Sequence, residues 1–199
     1  AQFSGARRLT LNNSVSDDSI VRQCLAYSVF ADAGIPASRC SFAQVSVNGD
    51  DLGLYVNVES VKKPMLERHF EDASGNLYEG TLSDFRDEWA GTFEPKTNEE
   101  QTDRADVAAV VEALKADDDD LLAELEPLID MDSFYTFWAT EVLVKHQDGY
   151  AANTNNFFIY NNPATGRFTF MPWGVDDTLS PYFWDGENSP HSVFANGYL

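Results

Sequence analysis

Long apolar runs and basic side chains are both scarce in this sequence of 199 residues. No stretch approaches the roughly 18 apolar residues of a membrane-spanning helix, so we expect no membrane span. Lys and Arg number 13 against 33 Asp and Glu, which gives a formal net charge of −20. Proteins that bind nucleic-acid phosphates need clustered Lys and Arg, and anionic lipid surfaces attract the same residues. The composition therefore argues against nucleic acid and anionic membranes as direct partners.

Cysteine is almost absent, because the chain has only Cys24 and Cys40. They lack the CxxC spacing that is typical of structural zinc sites, so zinc is not expected. A single disulfide between them is one interpretation. The other, which we favour from the sequence, is a pair of buried free thiols, since free cysteines are among the most buried side chains.

Aromatic side chains, by contrast, are abundant, with 4 Trp, 8 Tyr and 14 Phe. They give the chain the apolar surface that disordered acidic chains lack. A chain of 199 residues suits one domain with a sizeable core. We therefore predict a single folded acidic domain over residues 1–199, with a polar insertion around 84–102.

Apolar periodicity predicts a chain of mixed α and β structure. Helices are expected over about 17–33, 64–70, 103–116 and 132–146. On the first helix the spacing predicts a buried face made of Ile20, Cys24, Tyr27 and Ala31. Alternating strands around turn residues predict two β-hairpins, over 42–58 and 156–171. The last helix is the most hydrophobic, so we expect it to lie centrally and to be followed by an irregular stretch up to residue 155.

The segment around the second hairpin carries the candidate chemistry. Asp148 follows the central helix, Asn155 and Asn156 precede the hairpin, and Asp176 follows it. Because a hairpin returns the chain close to its start, these side chains could converge. Two carboxylates and an amide oxygen form a hard oxygen site that suits Mg²⁺ and substrate phosphates. Protein kinases place a catalytic Asp, a metal-binding Asn and a metal-binding Asp in the same order.

Plainer alternatives exist for these acidic residues. Asp148 and Gly149 could form only a helix-end turn, and Asp176 with Asp177 could be a loop or a helix cap. The acidic run at 117–120 is interpreted as the solvated start of a helix, where negative charge meets the positive end of the helix dipole. It lacks the alternating ligands, the turn glycine and the distal Glu of a calcium-binding loop.

Four groups of residues, in one order, resemble the CotH family of atypical, secreted protein kinases related to spore-coat CotH. They are Leu11-Asn12-Asn13 with Asp18, Ser19 and Arg22; Val47-Asn48-Gly49 with Gly53-Leu54-Tyr55 and Glu59; Gly75-Asn76-Leu77-Tyr78; and Asp148-Gly149-Tyr150 with Asn155, Asn156, Tyr160, Pro172, Trp173 and Asp176. The resemblance extends from about residue 9 to residue 180. It implies a divergent protein-kinase-like α/β domain that uses ATP and Mg²⁺ or Mn²⁺ to phosphorylate Ser residues of coat or surface proteins. It also implies an extracellular or cell-surface location, although the first residues show no signal peptide.

The resemblance further implies roles for individual residues. Asp148 matches the catalytic-loop Asp that orients the substrate hydroxyl or accepts its proton. Asn155 and Asn156 match an Asn pair that binds the nucleotide, and one of them, Asn156, is expected to contact the metal. Asp176 matches a carboxylate that holds Mg²⁺. Glu59 matches a recurring Glu that pairs with a phosphate-binding Lys or with metal, and its alternative is an exposed acid at the end of a strand.

Two departures from the family pattern lead to a second hypothesis. Gly174 stands where the family normally has Asp, and Asp177 is expected to point elsewhere. The resemblance also implies N-terminal strands with an Arg-Gly segment and a Lys that contact nucleotide. These strands do not occur in this sequence, so we expect a fragment of the family domain. The second hypothesis is a catalytically impaired CotH-like module that serves as a surface scaffold or binding domain.

A hydrolase is the third alternative. The aromatic and acidic group Tyr182, Phe183, Trp184 and Asp185 could bind sugar, although core or interface packing is the commoner role of such aromatic side chains. The chain contains no GxSxG segment, which is the nucleophile motif of many hydrolases.

Overall fold

A computed structural model of the chain describes residues 8–100 and 103–179. Its helices are α1 (Arg22–Asp32), α2 (Lys63–His69), α3 (Ala105–Ala113), α4 (Asp118–Leu125), α5 (Met131–Val144) and α6 (Tyr150–Asn153), with a 3-10 turn at Ala90–Thr92. Its strands are β1 (Thr10–Asn12), β2 (Cys40–Val47), β3 (Asp50–Val58), β4 (Leu77–Gly80), β5 (Glu94–Pro95), β6 (Phe157–Asn162) and β7 (Arg167–Pro172). The predicted mixed α/β class is confirmed.

Two antiparallel sheets contain these strands. One has the order β1-β3-β2 and the other the order β5-β4-β6-β7. Phe157 pairs with Pro172 at the base of the second hairpin, so the predicted hairpin over 156–171 is confirmed. The first hairpin also forms, and its turn has left-handed φ angles of 55° at Asn48 and 96° at Gly49, as two-residue hairpin turns require.

The first helix begins later, and buries a partly different face, than the spacing predicts. α1 starts at Arg22, because the preceding turns end with Ile20 in the left-handed conformation at φ 63°. Its buried residues are Gln23, Ala26, Tyr27 and Phe30. Ala31 is exposed, so the predicted face was wrong at that residue. Tyr27 is buried, and Cys24 and Ile20, which precedes the helix, are half-buried against the core. Phe30 takes the core position because its ring packs 6.0 Å from that of Phe137 on α5.

α5 is the central helix, as predicted. Its Phe137 ring lies 5.6 Å from Phe170 of β7, in addition to its contact with Phe30 of α1. Tyr150 extends the same cluster, with its ring 5.2 Å from Phe170 and 4.7 Å from Phe157. The burial of Tyr150 anchors the short helix α6, so the expectation of an irregular stretch up to residue 155 was wrong over 150–153.

Cys24 on α1 and Cys40 at the start of β2 form a disulfide, with their Cα atoms 5.2 Å apart. The interpretation of the two residues as free thiols was therefore wrong. The sequence could not show that the chain reverses after α1 and brings β2 back against the first turn of that helix. That proximity is a tertiary feature, and helical periodicity does not encode it.

The other predicted helices form with small shifts at their ends. α2 and α3 lie inside the predicted ranges or within one residue of them. Asp117 is the N-cap of α4, and the next three residues place negative charge in its first turn, as interpreted from the sequence. The polar stretch from 84 contains the 3-10 turn and β5. Among the described residues no helix has the length and apolarity to cross a membrane, and the aromatic group at 182–184 lies outside them.

Candidate functional site

Asp148 lies in the loop between α5 and α6, and amide groups surround its half-buried carboxylate. Its Oδ1 accepts hydrogen bonds from Asn153 Nδ2 at 2.6 Å and from Asn155 Nδ2 at 3.0 Å. Its Oδ2 accepts a hydrogen bond from Asn156 Nδ2 at 2.6 Å. Asn156 immediately precedes β6, so the base of the second hairpin lies beside Asp148, as predicted.

The backbone of residues 154–156 explains how these amides reach the carboxylate. Thr154 and Asn156 adopt left-handed φ angles of 48° and 49°, a conformation that Asn tolerates better than most residues. Asn155 Oδ1 accepts a hydrogen bond of 3.2 Å from the backbone amide of Leu82, so this side chain links the Asp148 loop to the end of β4. In the described part of the chain nothing donates to Asn156 Oδ1, which leaves that oxygen available as a ligand.

Asp176 and Asp177 follow β7 and face the loop that precedes α1. Ser16 Oγ donates a hydrogen bond of 3.4 Å to Asp176 Oδ2. Burial raises the pKa of Asp177, and the negative charges of Asp176 and Asp148 raise it further. Asp177 is therefore repelled by the charges of both Asp176 and Asp148, and a cation close to it would relieve that repulsion.

Several polar side chains beneath the site were missed by sequence reasoning. Of the buried side-chain atoms in the described residues, those without a hydrogen-bond partner are Ser14 Oγ, Tyr27 Oη, Gln147 Nε2 and Thr154 Oγ1. Burial, and then the charge of Asp176, raise the pKa of Tyr27 well above its ordinary value. All of these side chains lie in segments that border Asp148 or Asp176. No sequence signal marks them, because a buried Tyr or Thr has the same local pattern in any core.

The acidic residues alone do not complete a metal site. Within residues 8–100 and 103–179 no group of three or more His, Cys, Asp and Glu is arranged to hold a metal ion. A cation would therefore take its ligands from Asp176, from an amide oxygen such as that of Asn156, from water and from substrate phosphate. Mg²⁺ is commonly held in this way, by one or two carboxylates with phosphates and waters.

Comparison with known proteins places this arrangement in a family. Over residues 1–193 the chain matches the family model described as CotH kinase protein. The chain belongs to the CotH family. Inner spore coat protein H of Bacillus subtilis (strain 168) is 25% identical over 187 residues, which cover 88% of this chain and 51% of that protein. Inner spore coat protein H-like protein of the same organism is 38% identical over 56 residues, or 28% of this chain and 18% of that protein. The chain thus spans about half the length of the first CotH relative and less than a fifth of the second.

Glu59 is the CotH-implied residue that the structure does not bring to Asp148. It follows β3, and its carboxylate binds the guanidinium groups of Arg39, at 2.8 Å, and Arg68. Partial burial alone would raise the pKa of Glu59, but the hydrogen bonds from both arginines outweigh burial and lower it. In the described residues its contacts join the residue before β2 to α2, and its implied link to nucleotide stays a prediction.

Gly174 occupies the position where the resemblance implies an Asp, and the structure shows a local reason for the glycine. Its φ is +53°, and a Cβ at this position would lie 2.8 Å from both Cγ and Oδ1 of Asn156. A side chain here would push Asn156 away from Asp148. The glycine and the Asn156–Asp148 hydrogen bond are therefore mutually compatible, and a carboxylate at 174 would require a different position of Asn156.

We expect Gly174→Ala to destabilise the protein and to weaken Mn²⁺ binding. The left-handed φ costs an L-residue about 1–2 kcal/mol, and displacement of Asn156 adds to that cost. Gly166→Ala is the matched control, since Gly166 has φ +71° but no atom lies within 4 Å of the added Cβ. Thermal unfolding and Mn²⁺ titration of both variants check the expectation. Equal stabilities and equal Mn²⁺ affinities would show that Gly174 has no part in positioning Asn156.

Proposed function

We propose that this chain is part of a protein kinase that uses ATP and Mg²⁺ or Mn²⁺ to phosphorylate Ser hydroxyls. The observation that carries the proposal is the hydrogen bond of Asn156 to Asp148 at the base of the β6–β7 hairpin, which ends a few residues before Asp176. The order of these residues along the chain is that of the catalytic Asp, metal-binding Asn and metal-binding Asp of protein kinases. Membership of a family described as CotH kinase protein supports the same conclusion.

Asp148 is the proposed residue that orients the substrate hydroxyl and accepts its proton. A base must be held in one orientation to act on a bound hydroxyl. The amides of Asn153, Asn155 and Asn156 hold the Asp148 carboxylate in that way. Phosphoryl transfer depends mainly on positioning and on charge neutralisation, so a small set of fixed polar groups is sufficient.

Asp176 and Asn156 are the proposed metal ligands. A carboxylate and an amide oxygen are suitable donors for Mg²⁺ or Mn²⁺, and phosphate oxygens would complete the coordination. When bound, ATP would supply the phosphoryl group, and the metal would neutralise the charge that develops on it. Arg22 brings a positive charge close to this region, since it partly opposes the rise in the pKa of Asp177, and its side chain also pairs with Asp17 at 3.4 Å.

A catalytically impaired CotH scaffold or binding module is the second candidate function. Gly174 favours it, since one carboxylate of the family's metal-binding segment is replaced. Both candidate functions suit a protein of a coat or cell surface. A CotH relative is named as an inner spore coat protein, and the disulfide between Cys24 and Cys40 is of a kind that persists in oxidising compartments.

Ligand binding to the full-length protein tests the proposal. A ligand at 100 times its Kd stabilises the folded state by about 2.7 kcal/mol, so binding must raise the Tm. We expect ATP with Mg²⁺ or Mn²⁺ to raise the Tm and to release or absorb heat in calorimetry. We expect Asp176→Asn to need about tenfold more metal for the same effect, because an amide oxygen is a weaker ligand than a carboxylate.

Asp50→Asn is the charge-matched control for that variant, since Asp50 is exposed at the start of β3. It should behave as wild type. If millimolar ATP and Mg²⁺ give neither heat nor a Tm shift with the wild-type protein, the kinase proposal fails and the scaffold function takes its place.

A further inference from the structure

A buried acid and a buried histidine lie directly behind the loop that carries Asp148. Glu141 is in the last turn of α5, and His146 follows the end of that helix. Both side chains are 0% exposed, and His146 Nδ1 lies 3.1 Å from Glu141 Oε1. The proposed chemistry uses neither of them.

The Glu141 carboxylate also binds the backbone on the far side of Asp148. Its Oε1 accepts a hydrogen bond of 3.2 Å from the Tyr150 amide, and its Oε2 accepts one of 2.7 Å from the Ala151 amide. The loop from 146 to 151 is therefore fixed at both ends to a single carboxylate. Asp148 lies at the middle of that loop.

The intervening Gly149 is packed tightly against the same pair. A Cβ on Gly149 would lie 2.4 Å from His146 Nδ1 and 2.5 Å from Glu141 Oε1. The backbone next to Asp148 can approach the pair this closely only because residue 149 has no side chain. The path of the loop is thus determined by the position of Glu141 and His146.

The histidine contacts the other half of the site as well. His146 Nε2 lies 3.4 Å from the carbonyl oxygen of Gly174, two residues before Asp176. The Gln147 amide donates a hydrogen bond of 3.4 Å to the carbonyl oxygen of Asp177. The loop that bears Asp148 and the segment that bears Asp176 are therefore connected through His146 and its neighbour.

We propose that Glu141 and His146 are positioning residues that hold Asp148 and Asp176 at a fixed separation. The inference rests on the proposed kinase function and adds residues that do not touch substrate. A buried polar pair by itself contributes little net stability compared with apolar packing. Misplacement of a reacting group by about 1 Å can cost about 100-fold in rate. The pair therefore acts mainly on the geometry of the two acids.

Glu141→Gln tests the role of the carboxylate. An amide in place of the carboxylate has one acceptor oxygen, so either the His146 contact or a backbone amide loses its partner. We expect kcat for phosphate transfer to fall about 10–100-fold, while the KM for ATP changes less than about threefold. Phe137→Leu is the control on the same helix, because it removes core packing but none of the hydrogen bonds that fix the loop from 146 to 151. It should lower the Tm and leave kcat unchanged at temperatures where both variants are folded.

His146→Asn is a second variant that retains more of the fold. Its amide nitrogen can replace Nδ1 in donating to Glu141, but it is too short to reach the Gly174 carbonyl. We expect a smaller Tm loss than in Glu141→Gln with a similar fall in kcat. The proposal would be overturned if both variants had the kcat of wild type and a Tm lowered as much as in Phe137→Leu. Glu141 and His146 would then have a purely stabilising role.

Amide hydrogen exchange separates this inference from the kinase proposal. If the wild-type protein transfers no phosphate, the kinase proposal fails, but the physical coupling is still measurable. Glu141→Gln should then speed exchange in both 147–151 and 174–178, and Phe137→Leu should not do so selectively. Faster exchange in the first segment alone, or in neither, would overturn the coupling.

Discussion

Asp148→Asn is expected to lower the rate of phosphate transfer to a Ser hydroxyl by about 10²–10⁴-fold, the usual contribution of a general base. Asn retains the shape of the side chain but loses the negative charge and the group that accepts the proton. Binding of ATP and metal should change much less, because Asp176 and Asn156 are the proposed ligands. The measurement is the initial rate of phosphate incorporation into a Ser-rich protein acceptor by the full-length protein.

The same substitution is also expected to lower stability. The Asp148 carboxylate accepts hydrogen bonds from Asn153, Asn155 and Asn156. In Asp148→Asn a side-chain NH₂ group would face at least one of these donors, which leaves buried hydrogen-bonding groups unpaired at a cost of about 1–3 kcal/mol. Each kcal/mol lowers the Tm by about 2–4 °C in a chain of this size. The rates must therefore be compared at a temperature where both proteins are folded.

Asp106→Asn is the matched control for that loss of stability. Asp106, in the first turn of α3, accepts hydrogen bonds from Asn76 Nδ2 at 2.9 Å, Asn161 Nδ2 at 3.0 Å and Tyr78 Oη at 2.8 Å. Its variant should lose a similar amount of stability and keep full activity. Full activity in Asp148→Asn would remove this residue as a base and, with it, the main reason for preferring a kinase.

The sequence predicts best those elements whose own local pattern determines them. Asn48 and Gly49 provide the left-handed turn of the first hairpin, and apolar runs on both sides of the second turn produce the β6–β7 pair. On α1 the exposed Ala31 was predicted to be buried in place of Phe30, because both residues fit a helical apolar stripe. Packing against Phe137 on α5 favours Phe30, and the local sequence pattern does not show that contact.

The candidate site was predictable where it lies within one stretch of chain. A hairpin returns to its start whatever the rest of the fold does, so Asp148 and Asn156 could be expected to meet. Ser16, Tyr27 and Glu141 could not be assigned to the site, since they reach it from other elements. Glu141 in particular lies in the most hydrophobic helix, where spacing shows an acid but not the backbone amides that its carboxylate binds.

Removal of the disulfide should have the largest effect on stability alone. Cys24 and Cys40 are separated by 16 positions in the chain. Closing a loop of this length restricts the unfolded chain by about 3 kcal/mol in the chain-entropy model. We therefore expect Cys24→Ala/Cys40→Ala to lower the Tm by about 6–12 °C. The hydrogen bond from Ser16 to Asp176 connects the loop before α1 to the site, so Mn²⁺ titration of this variant also shows whether that region keeps its structure.

Reduction of the wild-type protein provides the control for the double variant. Dithiothreitol should lower the Tm of wild type by about the same amount, because it breaks the same cross-link. It should leave the Tm of Cys24→Ala/Cys40→Ala unchanged, since that variant has no thiol to reduce. Two results together would contradict the disulfide: a wild-type Tm that does not respond to dithiothreitol, and two titratable thiols in the unfolded protein before any reduction. In that case both cysteines are free, and α1 and β2 are joined only by packing.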